Sequence, residues 1–226
     1  MSKIINCTAE NVYVETAKII CKSLNEILMH KEVVVLGLPG GRSIVKILSV
    51  LKKSKLNWYN IHIFMVDERI VSPTHKKNNF RLIRQELAET VPLKNLHPFP
   101  FNPDNVDRSI ELYTSQLDLY GGKYDVVYLS AGEDGHIASL FPEHNSIEND
   151  SENLIHVKNS PKPPPNRMSI SKNLLLKAKI GVLLFSGKEK KAAFQKYQNS
   201  ALKYRNCPAK LIDNLPKSYV VSEFGK

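Results

Sequence analysis

Residues 132–136, Gly132-Glu133-Asp134-Gly135-His136, set a carboxylate and an imidazole two positions apart in a glycine-framed turn. Imidazole is the side chain that takes and returns a proton near neutral pH, so His136 is the candidate general base. Asp134 is the candidate for fixing either the loop or the ring, although side chains at i and i+2 need not touch. The turn follows Tyr124–Leu129, a β-branched and aromatic run that reads as a buried strand. Ile137–Phe141 is apolar again, and Pro142 stops it. An ionisable pair directly after a strand lies where an open α/β sheet holds its ligands. Asp134-Gly135-His136 alone is too short to be specific, since a solvated turn reads the same way.

Two further clusters have chemical content. Gly40-Gly41-Arg42-Ser43 can turn backbone N–H groups toward an anion at a helix start, with the Ser43 hydroxyl and the Arg42 charge beside them. It has neither the GxxxxGK[ST] spacing of a Walker loop nor a full GxGxxG. Glycines between a strand and a helix are often turn geometry only. Asp67-Glu68-Arg69 puts three charges at the end of an apolar run, and a surface ion-pair cluster is the plain alternative.

The elements that must position these clusters alternate. Thr8 is placed to cap a helix reaching about His30, with Tyr13, Ala17, Ile20, Cys21, Leu24 and Leu28 at helical spacing. Val33–Leu36 reads as a strand buried on both faces, and Ile44 to Leu51 as the helix after the glycine turn. Ile61–Val66 is the next strand. Asn78 can cap a helix carrying Phe80, Ile83 and Leu87. Leu93–Pro103 is irregular, and Val106–Leu119 is helical. Leu154–Val157, Asn166–Ile170, Ile180–Phe185 and Tyr219–Val221 read as extended, with a short helix over Ser171–Ala178 and another from Gly187 to about Tyr197. The proline run at 161–165 excludes helix and central strand there. The alternation predicts an α/β fold, a doubly wound, mostly parallel sheet with helices on both faces, formed by the whole chain as one domain.

Composition narrows the function classes. The chain has 226 residues, 42% of them hydrophobic, enough for a full core. No apolar run approaches the about eighteen residues of a membrane span, and the N-terminus lacks a signal-peptide core. Cys7, Cys21 and Cys207 are odd in number and lack metal spacing, which predicts free thiols, no metal and a cytoplasmic setting. The net charge is +10, and residues 172–226 hold 12 Lys or Arg against 3 Asp or Glu. That balance favours an anionic partner. No zinc finger, aromatic RNP motif or Arg-rich arm is present, so nucleic acid is not expected.

The string GEDGHIASLFP, residues 132–142, resembles the signature of the 6-phosphogluconolactonases. The related glucosamine-6-phosphate deaminases share Asp-Gly-His-Ile-Ala but continue with Phe-Asn-Glu-Pro, where this chain has Ser139-Leu140-Phe141-Pro142. Asp67-Glu68-Arg69 resembles the lactonase Asp-Glu-Arg motif, and Asn78-Asn79 its downstream Ser-Asn pair. The turn at 39–44 resembles the Ser-Gly-Gly-Ser-Thr-Pro phosphate loop, with Pro39, Arg42 and Ile44 departing from it. Pro39 removes an N–H and a hydroxyl, for which Arg42 offers a charge. The resemblance implies the fold of that superfamily, hydrolysis of a phosphorylated sugar lactone, no cofactor, and a monomer. It implies His136 as base, with Asp134 fixing the loop or the imidazole and Arg69 polarising the carbonyl or holding a sugar hydroxyl. It implies Gly40, Gly41, Arg42, Ser43, Asp67, Arg167 and Lys190 as substrate-binding residues; nothing else separates Lys190 from Lys188 or Lys191. A deaminase or isomerase, and a non-catalytic sugar-phosphate or nucleic-acid binder, are the alternatives. For the deaminase, Phe141 stands where that family has its Glu, and Glu143 lies two positions on.

Overall fold

A computed structural model describes residues 2–225. In chain order the elements are β1 (Lys3–Asn6), α1 (Val12–Leu28), β2 (Val34–Leu38), α2 (Arg42–Leu51), β3 (Ile61–Met65), β4 (Asp67–Arg69), α3 (Asn79–Leu87), β5 (Leu96–His97), α4 (Val106–Asp118), β6 (Val126–Ser130), α5 (Asn145–Glu148), β7 (Leu154–Val157), β8 (Arg167–Ile170), α6 (Lys172–Leu176), β9 (Ile180–Phe185), α7 (Lys191–Gln198) and β10 (Lys217–Ser222). Short 3₁₀ turns lie between several of them, including Lys188–Lys190 directly before α7.

Seven strands form a parallel sheet in the order β1-β10-β9-β6-β2-β3-β5. β2, β3 and β9 are buried along their whole length, as apolar runs covered on both faces must be. α1 contributes Ile20 and Leu24 to the core, and α2 contributes Ile44, Ile47, Leu48 and Leu51. From β2 the chain winds outward through β3 and β5. From β6 it winds the other way through β9 and β10. The reversal falls between β2 and β6, and the loops leaving their carboxyl ends diverge there.

The opposite end of the sheet is pinned by Asp125, which is fully buried. Its carboxylate receives Lys31 Nζ at 2.6 Å, Lys179 Nζ at 2.9 Å and the Val35 N–H at 2.9 Å. Burial pushes this carboxyl up, and the two lysines with the Val35 N–H outweigh it, so the net shift is down.

Four sequence expectations are corrected. Thr8 does not cap α1 through its side chain; its carbonyl accepts from the Asn11 and Val12 N–H groups, and Asn11 holds the cap position. α2 starts at Arg42 rather than Ile44, so Arg42 and Ser43 lie in its first turn. Leu93–Pro103 contains the edge strand β5. Asp67-Glu68-Arg69 is not the tail of β3 but the separate strand β4, in a second, antiparallel sheet of order β4-β8-β7. Asn78 does cap α3, accepting the Arg81 N–H at 2.8 Å.

Candidate active site

The carboxyl ends of β2, β6 and β9 and the second sheet border a cleft of about 530 Å³. Nine of the ten sequence-derived site residues line it: Gly40, Gly41, Arg42, Ser43, Asp67, Arg69, His136, Arg167 and Lys190. Asp134 does not line it but stands directly behind His136.

The 132–136 turn brings this couple together. Gly135 has φ +93°, a conformation that side-chain-bearing residues rarely adopt. The chain reverses there, and Asp134 Oδ1 meets His136 Nδ1 at 2.5 Å while also accepting the His136 backbone N–H at 3.1 Å. Burial pushes the Asp134 carboxyl up, but the hydrogen bond and charge of His136 prevail and hold it well below the ordinary carboxylate range. An ionised carboxylate only accepts hydrogen bonds, so Nδ1 donates in this contact, and in the neutral ring Nε2 is then the nitrogen with the lone pair. Phe141, fully buried, packs its ring 4.7 Å from the imidazole. Ala138 is left-handed, φ +49°, and the strained turn it makes carries Ser139 under the cleft floor.

That floor is a buried polar web. Ser139 Oγ donates to Asp67 Oδ2 at 2.7 Å, and Asn79 Nδ2 donates to the Asp67 carbonyl at 3.1 Å. Arg167, 4% exposed, gives Nε to the Pro164 carbonyl, one terminal nitrogen to the Lys162 and Pro163 carbonyls, and the other to Ser139 Oγ. Of five N–H groups, one is left for a ligand. The charge sits 4.0 Å from Asp67 Oδ2, and its guanidinium covers the Phe141 ring. Burial pulls the Arg167 pKa down, and the Asp67 charge opposes that. The proline segment is thus strapped to the floor, and Lys162 ties it to Glu133 on the 132–136 turn. Arg69 is held by its donation to the Lys77 carbonyl at 3.0 Å.

The opposite wall is basic. The tight β2–α2 turn passes so close to α3 that a Cβ on Gly40 would fall 1.8 Å from Asn79 Oδ1. Ser43 Oγ donates to Ser130 Oγ at 3.2 Å, which turns the hydroxyl across the mouth of β6. Arg42 reaches out to Glu189 at 3.6 Å. Lys190 faces in while Lys188 and Lys191 are exposed. Burial pulls the Lys190 ammonium down, and Glu189 and Glu133 oppose it.

Tyr13, Lys46, Asn79, Ser130, Ser186 and Glu189 also line the cleft and were not singled out as site residues. Tyr13 reads in sequence as part of the apolar stripe of α1. Lys46 had a signal: it lies four residues after Arg42, on the same face of α2. Glu143 points elsewhere, accepting Asn206 Nδ2 at 3.0 Å, and Phe141 is the residue beside the His136 ring.

A solved 6-phosphogluconolactonase from Thermotoga maritima superposes on 98% of this chain and 99% of its own, with TM-score 0.85 at 23% identity. A monomeric glucosamine-6-phosphate deaminase does so over 97% and 96%, with TM-score 0.82 at 20% identity, so the fold is common to both chemistries. The 6-phosphogluconolactonase of Borreliella burgdorferi is 34% identical over 193 residues, 83% of this chain and 82% of that protein. Residues 8–220 match the model of the glucosamine-6-phosphate isomerases/6-phosphogluconolactonase family, and the chain belongs to that family.

Proposed function

We propose that the protein hydrolyses 6-phospho-D-glucono-1,5-lactone to 6-phospho-D-gluconate, the lactone-opening step of the oxidative pentose phosphate pathway. One observation carries this reading: an Asp134–His136 couple whose imidazole lines a cleft walled by Arg42, Arg69 and Lys190. The Borreliella burgdorferi relative, named for that activity, supports it. Phe141 and the averted Glu143 count against the deaminase reading.

A δ-lactone is an activated ester, so little machinery is needed. His136 Nε2 takes a proton from water as its oxygen attacks C1. The carbonyl oxygen gains negative charge, and Arg69 is the cation that stabilises it. The tetrahedral intermediate collapses, the bond from C1 to the ring oxygen breaks, and His136 returns the proton to that oxygen. Asp134 holds the ring and offsets its transient charge. Gly40, Gly41, Arg42, Ser43, Lys190 and the remaining N–H of Arg167 hold the phosphate, and Asp67 accepts from a sugar hydroxyl. Phosphate binding thereby positions the reacting carbonyl. The reading needs no metal, no cofactor and no nucleic acid, and takes the whole chain as one domain, a monomer in the cytoplasm.

The test is turnover of lactone generated in situ from glucose 6-phosphate, measured against unaided hydrolysis. The wild-type protein should exceed that background clearly. His136→Ala should lower the rate by roughly 10²- to 10⁴-fold and keep the fold. A wild-type rate equal to background would overturn the function, and near-normal turnover by the variant would remove His136 as base.

A further inference from the structure

We propose that Lys46 is a specificity residue of this chain, the outer cation of the phosphate seat; the assignment rests on the sugar-phosphate reading of the cleft. The argument starts from a local cost. Arg42 and Lys46 stand at i and i+4 in the first turns of α2 and both line the cleft. Like charges at that spacing repel, and cations at a helix N-terminus oppose its dipole. A surface helix gains nothing from this arrangement, whereas an anion seated between the two cations relieves both penalties at once.

The surroundings of Lys46 show how it is held for such a role. Its ammonium lies 4.5 Å from the centre of the Tyr13 ring, and among the described residues no carboxylate lies within ion-pair distance of it. The ring is itself fixed. Tyr13 and Ser186 share a hydrogen bond at 3.0 Å, Ser186 Oγ donates to Glu223 Oε2 at 2.8 Å, and the Gly187 N–H donates to Glu223 Oε1 at 3.0 Å. A single Ser186 proton cannot serve both partners, so the Tyr13 hydroxyl donates to Ser186. The π-face orients the ammonium without neutralising it. Pro39, at the β2–α2 turn, takes one backbone N–H away from the anion seat, and Lys46 restores positive charge from the adjacent helical turn. Arg42 is already shared with Glu189, which leaves Lys46 the less committed of the two.

The experiment compares wild type, Lys46→Met and Lys46→Arg in two assays. Calorimetry measures binding of 6-phosphogluconate. Kinetics measure hydrolysis of 6-phosphogluconolactone and of unphosphorylated glucono-1,5-lactone. In Lys46→Met the dissociation constant and the KM for the phosphorylated lactone should rise about threefold to tenfold, with kcat little changed. The kcat/KM for the unphosphorylated lactone should not move, and Lys46→Arg should restore the wild-type values. Unchanged binding in Lys46→Met, or equal losses on both lactones, would overturn the proposal. If wild type binds 6-phosphogluconate but opens no lactone, the hydrolase reading fails, and the binding arm still decides Lys46. If wild type binds nothing, both fall.

Discussion

In the proposed hydrolysis His136 depends on the atom on its other side. With Nδ1 committed to Asp134, the ring has one tautomer and one orientation, and Nε2 is the nitrogen left to work. Asp134→Asn tests this without changing shape. An amide has no charge to offset an imidazolium, and its NH₂ can pair with Nδ1 in the wrong tautomer. The expected outcome is a fall in kcat of roughly 10²- to 10⁴-fold with KM for the phosphorylated lactone nearly unchanged, read from steady-state kinetics. A variant with normal kcat would reduce Asp134 to a loop anchor. Charge and chemistry were legible here from residue type, but the contact was not. Two side chains at i and i+2 meet because Gly135 adopts φ +93°, a choice open to glycine but not dictated by it. Lys190 likewise could not be told from Lys188 and Lys191 until the 3₁₀ turn over Lys188–Lys190 set which of them faces in.

Among the elements, the junction of β4 and α3 governs where Arg69 and Asn79 stand. Glu68, 2% exposed, accepts the N–H groups of Arg69 at 2.7 Å, Asn79 at 2.7 Å and Phe80 at 2.8 Å. Its carboxylate therefore closes the open N-terminus of α3 and aims β4 at the cleft. Glu68→Gln replaces one accepting oxygen by a donor that faces backbone N–H groups. We expect a loss of about 1–3 kcal/mol in denaturant unfolding and a raised KM, since two cleft residues lose their anchor. Unfolding at the wild-type midpoint would show that the three bonds are dispensable. This junction marks the limit of pattern reading. β2, β3, β6 and β9 were legible because strands covered on both faces must be apolar runs. Asp67-Glu68-Arg69 offers neither an apolar run nor alternation, so nothing local marks it as a strand. Its pairing with Met168 and its neighbours on β8 decides the matter. β1 escaped notice for a similar reason, being four residues of mostly exposed edge.

Across the whole molecule, acid stability reports buried groups that take no part in the proposed chemistry. His62 on β3 and His97 on β5 are almost fully buried, with Nδ1 and Nε2 2.9 Å apart, and Tyr120 lies against both rings. That contact needs one N–H and one lone pair, so the pair cannot be doubly protonated and keep it. Burial lowers both pKa values, that of His97 to about 4 with help from the His62 charge. A depressed histidine gives stability that is present above its unfolded pKa and lost as pH falls toward the folded one, here from about 6.5 to about 4. Glu68 acts in the opposite sense. Burial pushes it up to about 7 against its three N–H donors, so its contribution is full below the ordinary glutamate range and is lost as pH rises through 7. Between pH 7 and 4.5 the two histidines therefore destabilise while Glu68 partly compensates. For His97 alone the loss is on the order of 3 kcal/mol near pH 4, roughly 6–12 °C in Tm for a chain of this size. His62→Leu/His97→Leu should shrink the drop in Tm between pH 7 and 4.5, whatever its stability at pH 7, and Glu68→Gln should enlarge it. Thermal melts of the three proteins at both pH values read the two differences. Equal drops in all three would assign the acid limb to other groups, with Asp125 and its two lysines the next cluster to test.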